Sequence, residues 1–480
     1  MLMGVTKKIA RNTFLLTVSS IISYVAYFFA LMYMARYLGP GEFGILSIAV
    51  AFTGLFGILT DLGLGMLTVR EVSRDKELAA KYIGNTTSMK AVFSIITIIY
   101  VLTAAVLMGY DPKTTVVIII ITLAIVISSF FTTFFSVFQA YQQMEYQAIA
   151  TGFDNIFTFA AVIVAISLSW DVVAFASIYL VRNFIVLIYM FLIYIKEYEL
   201  PELEFDYSFW KSTLKEALPF VLSGIFLTLF IWIPSVILSA VAGKEAVGFY
   251  GAPNKLIYFF LSIYSVYMVA VFPVMSIFYK ESKNSLKFIY ERSFKYTMII
   301  CLPVTIFISL LAPQIIKLVY GDAYGPSVVV LQILVWTITL VSVSGISANL
   351  LGSINRQFTV IKITAVGIVI NVLSGLILIH KFSFIGASIT TVATDVSVLV
   401  LMLYAIFKTN FADKSLFNDL SKIILSNLMM LFVLYCLKDL NLVIVALSGF
   451  IVYLTALNFT RIFDENDSII LKKMYRNRGK

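Results

Sequence analysis

The sequence is poor in the residue types on which metal proteins and redox enzymes depend. Its 480 residues include two cysteines, Cys301 and Cys436, and one histidine, His380. That is too little for a zinc site, a haem site or a disulfide framework. We therefore expect no metal and no cofactor.

Charge is scarce as well. Charged residues make up 13% of the chain and apolar residues 61%, with a mean hydropathy of +0.98. A soluble chain of ordinary composition carries about 25% charged residues. The composition therefore excludes a cytosolic enzyme and a nucleic-acid-binding protein, even though the net charge is +9. The apolar residues are enough for roughly 14 spanning helices of about 20 residues each.

Apolar runs bounded by charge clusters and by Gly/Pro turns predict an all-α polytopic membrane protein with 14 transmembrane helices. The predicted organisation is an N-terminal lobe of six helices, a cytoplasmic linker, a C-terminal lobe of six helices, two final helices and a basic tail. The corresponding ranges are 1–195, 196–213, 214–407, 408–460 and 461–480.

The positive charges predict the orientation. Of the 35 Lys and Arg residues, about 27 fall on the side of the N-terminus and about six in the short turns of the opposite side. The first group includes five predicted loop charges from Arg70 to Lys90 and five from Lys280 to Lys295. Both termini are therefore expected in the cytoplasm of a multi-pass protein of the cell membrane. The opposite side has only short turns and the chain has no Asp-x-Asp pair, which argues against a glycan polymerase or glycosyltransferase.

Two helix hairpins point to an internal repeat. The first predicted turn reads Arg36 to Gly44, in which Gly39 suits a left-handed C-cap and Pro40 the start of the next helix. A similar turn, 243–250, joins predicted helices 7 and 8, so that Gly44 aligns with Gly248. Six predicted helices precede the linker, and the second hairpin opens another set of six. Six is an even number, so the chain enters both sets from the same side of the membrane. The two lobes would therefore share one orientation, as a parallel repeat.

Four motifs carry a family resemblance. They are Arg36 to Gly44, Asp61-Leu62-Gly63-Leu64, Val247-Gly248-Phe249-Tyr250 followed by Lys255-Leu256, and the stretch from Tyr320-Gly321 to Leu331-Gln332-Ile333-Leu334. Together they resemble the polysaccharide biosynthesis flippases of the multidrug, oligosaccharidyl-lipid and polysaccharide exporter superfamily, which includes the lipid II flippase. The resemblance covers essentially the whole chain. It implies a two-lobed transporter that moves a polyprenyl-linked glycan to the outer leaflet.

Five charged residues are not accounted for by any predicted loop. They are Asp61, Asp154, Arg182, Lys255 and Asp395. A charge at the centre of a spanning helix costs about 2.5–3.5 kcal/mol on insertion scales, so such residues usually face a cavity or a partner. Each of the five is therefore a candidate functional residue.

Arg182 and Lys255 are predicted near the middle of their helices. At that depth a flippase must compensate the negative charge of the phosphate of its substrate. We predict that both bind the phosphate-bearing head group, with Arg36 at the rim of the cavity. A structural ion pair between Arg182 and Asp154 is the alternative. Asn183 and Asn254 are candidate sugar contacts, although asparagines between helices often serve packing.

Asp154, Asp395 and Asp61 are candidates for ion coupling or for charge pairing. The predicted function is an alternating-access flippase, not an enzyme, for a polyprenyl (pyro)phosphate-linked oligosaccharide. Its partners would be that lipid, the bilayer and a glycan polymerase or transferase, and not nucleic acid. A cation-coupled drug exporter of the same superfamily is the first alternative, and a membrane-embedded glycan polymerase is the second.

Overall fold

The computed structural model describes residues 2–198, 202–409, 411, 415–438, 440–464 and 467. Side chains are described from residue 23 onward, except 223, 269, 270 and 415–418. These residues are almost entirely helical and contain no strand, which confirms the predicted all-α class. The helices are α1 (Leu2–Gly57), α2 (Leu64–Arg74), α3 (Ala79–Leu107), α4 (Pro112–Ala140), α5 (Met144–Ser167), α6 (Val172–Glu197), α7 (Tyr207–Glu281), α8 (Lys283–Leu310), α9 (Ala312–Val319), α10 (Ser327–Leu334), α11 (Trp336–Ser353), α12 (Gln357–Phe407), α13 (Ser415–Leu437) and α14 (Leu442–Phe459).

Three of these helices are double. α1 joins two helices at Gly39, with φ 70° and ψ 172°. α7 does so at Gly243, with φ 76° and ψ −174°, and α12 at Ser383, with φ 51°. Within the described residues, 11 segments are long and apolar enough to cross a membrane, and three of them contain these junctions. Dividing those three gives the fourteen predicted crossings.

The two glycine hairpins contact each other in a reciprocal way. A Cβ on Gly44 would collide with the backbone carbonyl of Lys244, and a Cβ on Gly248 would collide with the backbone carbonyl of Pro40. In the predicted repeat, Gly44 aligns with Gly248 and Pro40 aligns with Lys244. Reciprocal contacts of this kind are expected of a parallel two-fold repeat, and small residues allow the helices to approach so closely.

The described chain forms two compact units. The first comprises Met1–Phe259, Val319–Tyr324 and Ile368–Thr390, and the second Phe260–Leu318, Gly325–Gly367 and Thr391–Lys480. In the second unit, α13 and α14 pack into the same apolar core as α8 and α11. The Tyr453 hydroxyl of α14, for example, donates a hydrogen bond to the Ile299 carbonyl at 2.8 Å. The predicted lobe boundaries follow topology and stay a prediction.

The acidic linker predicted at 196–213 packs against α3 where the structure describes it. The buried Asn85 side chain donates to Glu204 Oε2 at 2.7 Å. Its carbonyl oxygen accepts from the Asp206 amide at 3.1 Å and from Trp210 Nε1 at 3.0 Å. One buried amide thus holds both the linker and the start of α7 in place.

A tight bend after α1 positions Asp61. A 3-10 turn, Ile58–Thr60, is followed by two residues with positive φ, Leu62 at 44° and Gly63 at 72°. A Cβ on Gly63 would lie 2.8 Å from Phe220 Cβ of α7. Glycine is therefore needed here both for its backbone conformation and for the close approach of α7.

Candidate functional site

Lys255 lies half-buried on α7 in the first unit. Its Nζ lies 5.7 Å from the centroid of the Trp232 ring, a contact in which the ring face attracts the cation. No carboxylate of the described residues lies within ion-pair distance of Lys255. It lines a small cavity together with Tyr27, Leu31, Phe43, Leu46, Ser47, Val50 and Tyr179. A cation without a carboxylate partner is available to neutralise the negative charge of a bound anion.

Arg182 lies on α6 in the same unit and is already paired. Its Nη1 lies 3.3 Å from Asp154 Oδ2 on α5 and donates to Thr158 Oγ1 at 3.1 Å. The guanidinium carbon lies 4.5 Å from the centroid of the Tyr179 ring. The structural ion pair that the sequence left open is therefore present. The side chains of Arg182 and Asp154 are 14% and 23% exposed, so the pair is not sealed from its surroundings.

Tyr179 is the residue that sequence reasoning missed. It is 7% exposed, its ring lies against Arg182, and it lines the same cavity as Lys255. Tyr179 therefore contacts one of the predicted phosphate-binding cations and lines the same cavity as the other. The available signal was the spacing, because residues three apart on a helix are neighbours.

The two candidate sugar-binding asparagines lie beside the cations in the sequence. Asn183 is buried, and its amide donates to the Ala124 carbonyl of α4 at 2.7 Å, so it holds α6 against α4. Asn254 precedes Lys255 on α7 and is half-buried. Their role as sugar contacts stays a prediction.

Arg36 lies at the hairpin end of α1 and is exposed. A Cβ on Gly321 would lie 3.9 Å from Arg36 Nε. Close by, the Tyr324 hydroxyl donates to the Ala35 carbonyl at 2.9 Å. Arg36 therefore lies beside the turn that contains Gly321 and Tyr324, and its position at the rim of a cavity stays a prediction.

Asp61 has a buried partner that the sequence assigned to a loop. Lys90 lies within α3 and is fully buried, with Nζ 2.7 Å from Asp61 Oδ1. It also donates to the Ser129 carbonyl at 2.9 Å and contacts Thr132 Oγ1 at 3.4 Å. Placing Lys90 among the cytoplasmic loop charges was wrong, because a charge next to an apolar run is ambiguous in sequence. Asp61 pairs with a cation inside the bundle.

A second lysine from the predicted loops is also buried. Lys295 Nζ on α8 lies 2.7 Å from Asp467 Oδ2, and Asp467 Oδ1 accepts from Arg292 at 2.8 Å and from the Tyr296 hydroxyl at 2.5 Å. Burial alone would raise the pKa of Asp467, but the hydrogen bonds from Lys295 and Tyr296 outweigh it and lower the pKa to about 2. The cluster fastens the segment after α14 to α8.

Asp395 lies on α12 in the second unit and is 2% exposed. Its Oδ2 accepts a hydrogen bond from Thr337 Oγ1 of α11 at 2.8 Å. In the part of the chain that the structure describes, no Lys, Arg or His lies within ion-pair distance of it. A carboxylate buried without a cation is costly unless a proton or a metal ion accompanies it.

Sequence comparison identifies a family. The sequence model described as "Polysaccharide biosynthesis protein" matches residues 9–278. An uncharacterized membrane protein of Methanocaldococcus jannaschii is 32% identical over 140 residues, which are 29% of this chain and 27% of that protein. The matched segment thus spans about a quarter of the length of this curated relative.

Three solved structures share the fold. An inward closed conformation of the lipid II flippase MurJ superposes with a TM-score of 0.74 at 15% identity, covering 93% of this chain and 99% of that one. An inward-facing multidrug resistance transporter of the MATE family has a TM-score of 0.68 at 18% identity, with coverages of 80% and 94%. A transporter of the same superfamily from Pyrococcus furiosus, described as having a binding pocket of reverse polarity, has a TM-score of 0.59 at 17% identity, with coverages of 83% and 95%.

Proposed function

Because the chain belongs to the polysaccharide biosynthesis protein family, we propose that it moves a polyprenyl (pyro)phosphate-linked oligosaccharide from the cytoplasmic to the outer leaflet of the cell membrane. The fold that it shares with membrane transporters supports transport over catalysis. Both termini lie in the cytoplasm in this proposal, as the distribution of positive charge indicates.

The observation that carries the proposal is that Tyr179 contacts Arg182 and lines the same small cavity as Lys255. A phosphate-bearing head group cannot enter a low-dielectric interior without compensation. Arg offers a planar fork for phosphate oxygens and Lys a point charge. These two cations come from predicted helices of different lobes, so one head group bound between them would respond to the position of both.

The lipid tail needs an apolar surface that stays open to the bilayer. In the second unit, a cleft of about 630 Å³ lies between α8 and α13 and is also bordered by α10 and α11. Most of its lining is aliphatic, with Leu302, Ile306, Leu428 and Leu431 as examples. A cleft of this kind is apolar enough to accommodate a polyprenyl chain. An isoprenoid chain is about as apolar as the aliphatic side chains that line the cleft, so it can pack there without polar contacts.

Asp395 is the proposed coupling residue. Its buried carboxylate has a hydroxyl partner, Thr337, and no basic partner in the described ranges. A proton or a monovalent cation bound there would link the transport cycle to an ion gradient. Asp395→Asn would then abolish gradient-driven export and leave head-group binding unchanged.

The test is complementation of a strain that lacks this gene. We expect lipid-linked glycan to accumulate on the cytoplasmic side of the deletion strain, and wild-type protein to restore export. Arg182→Gln and Lys255→Met should fail to restore it, whereas Lys244→Met, which removes an exposed cation of a hairpin turn, should succeed. Normal export by both site variants at normal protein levels would refute the assignment.

The same strain separates the alternatives. A drug exporter would leave the lipid-linked glycan unchanged on deletion and would raise drug sensitivity. The described structure gives this alternative little support, since Asp154 and Asp61 are both paired with cations. A polymerase, purified and placed in vesicles, would elongate lipid-linked glycan without moving it across the bilayer.

A further inference from the structure

The ion pair between Arg182 and Asp154 is incompletely formed. It consists of one contact, from Nη1 to Oδ2 at 3.3 Å. The other carboxylate oxygen, Asp154 Oδ1, and the Arg182 Nε are both buried and have no hydrogen-bond partner among the described residues. A well-formed Arg–carboxylate pair is bidentate and uses such atoms. A buried polar atom without a partner costs free energy, so two of them in one pair call for an explanation.

The buried cluster at Asp467 looks different. Asp467 accepts from Lys295 at 2.7 Å, from Arg292 at 2.8 Å and from the Asp464 amide at 2.9 Å, so both of its carboxylate oxygens are used. At Lys90 the ammonium group donates to two further acceptors besides its contact with Asp61, and only the carboxylate side, Asp61 Oδ1, has no hydrogen-bond partner among the described residues. The pair at Arg182 leaves buried atoms of both partners without one.

Arg182 would keep its position without Asp154. Its Nη1 also donates to Thr158 Oγ1 at 3.1 Å, and its guanidinium lies against the Tyr179 ring at 4.5 Å. Neither partner carries charge. Asp154 is 23% exposed, so its side chain is not packed tightly enough to be locked against the guanidinium.

We propose that Asp154 is a resident counter-ion of Arg182, which the phosphate of the substrate displaces on binding. This inference rests on the proposed function, since it takes an alkyl or prenyl phosphate as the ligand. The phosphate oxygens accept from Arg182 Nε and Nη1, while Thr158 and Tyr179 hold the side chain in place. When the phosphate leaves, Asp154 returns to the guanidinium and promotes its release.

Binding of farnesyl phosphate to the purified full-length protein tests the exchange. Asp154→Asn removes the competitor and keeps the shape of the side chain. We expect this variant to bind farnesyl phosphate about 2-fold to about 5-fold more tightly than wild type, the factor that corresponds to loss of a partly exposed ion pair. In export assays KM and kcat should both fall, because release becomes slower.

Three controls sharpen the result. Farnesol, which lacks the phosphate, should bind wild type and Asp154→Asn alike. Asp171→Asn, which removes an exposed carboxylate at the start of α6, should leave binding unchanged, so a change there would assign the effect to net charge and overturn the exchange. Thr158→Val, which leaves the ion pair intact and removes a neutral support of Arg182, should weaken binding.

Weaker or unchanged binding by Asp154→Asn would overturn the proposal, since a structural or sugar-binding Asp154 predicts no gain in affinity. If Asp154→Asn fails to fold, Thr158→Val decides, and unchanged binding by that variant refutes the arrangement. Failure of the proposed function looks different. Tighter phosphate binding by Asp154→Asn together with unchanged lipid-linked glycan in the deletion strain would support the exchange and overturn the flippase.

Discussion

Lys90 and Asp61 form an ion pair whose two side chains differ in burial, being 0% and 34% exposed. Asp61→Asn leaves a buried ammonium group with a carbonyl and a hydroxyl as its remaining partners. We expect it to lower the free energy of unfolding by about 3–5 kcal/mol. Lys90→Met keeps the length of the side chain and leaves a carboxylate that water reaches, so its cost should be about 1–3 kcal/mol.

The double variant, Lys90→Met with Asp61→Asn, removes both charges and should be more stable than Asp61→Asn alone. Denaturant unfolding of the purified protein in detergent measures all three differences. Arg74→Met serves as a control, because Arg74 is 68% exposed in its pair with Glu71 and should cost at most about 1 kcal/mol. The reasoning is wrong if Lys90→Met costs more than Asp61→Asn, or if the double variant costs the sum of the two.

Three further predictions concern the fold. Gly44→Ala should lower the melting temperature, since its methyl group meets the Lys244 carbonyl, whereas Gly41→Ala, with open space around it, should not; equal melting temperatures would contradict the contact between the hairpins. Asp467 has a folded pKa of about 2, below the roughly 3.9 of an unfolded aspartate. Its stabilisation is therefore present above about pH 4 and is lost as the pH falls towards 2, so wild type and Asp467→Asn should differ in melting temperature at pH 6 and converge near pH 2. Asn85→Ala removes three hydrogen bonds from the linker and should speed proteolysis between α6 and α7; an unchanged rate would show that other contacts hold the linker.

The number of spans was predictable because it depends on composition along the chain. A run of apolar residues as long as the bilayer is thick crosses it whatever its neighbours are. The hairpin at Gly39 was predictable for a local reason too, since glycine followed by proline favours a helix end. Its conformation was only partly anticipated, because φ is positive while ψ is extended and not left-handed helical.

The partners of the charged residues were not predictable. Lys90 was taken for a loop residue because sequence shows only that it lies near the end of an apolar run. Its partner Asp61 lies in the bend after α1, and their contact depends on that bend and on the packing of α3 against α4. Arg182 stands out in the sequence as an intramembrane charge, but only its distance from Asp154 in the structure shows that the two residues are paired.

The sequence by itself determined the membrane environment, the fourteen crossings and which ionisable residues stand out as candidates, since scarcity of charge and length of apolar runs are properties of the chain alone. Tertiary structure decided which candidates meet. It placed Tyr179 against Arg182 and in the lining of the Lys255 cavity. It gave Asp395 a hydroxyl partner but, within the described ranges, no cation, and it buried Lys90 and Lys295. Contacts between helices distant in sequence depend on how side chains fill the space between them, and no local pattern contains that information.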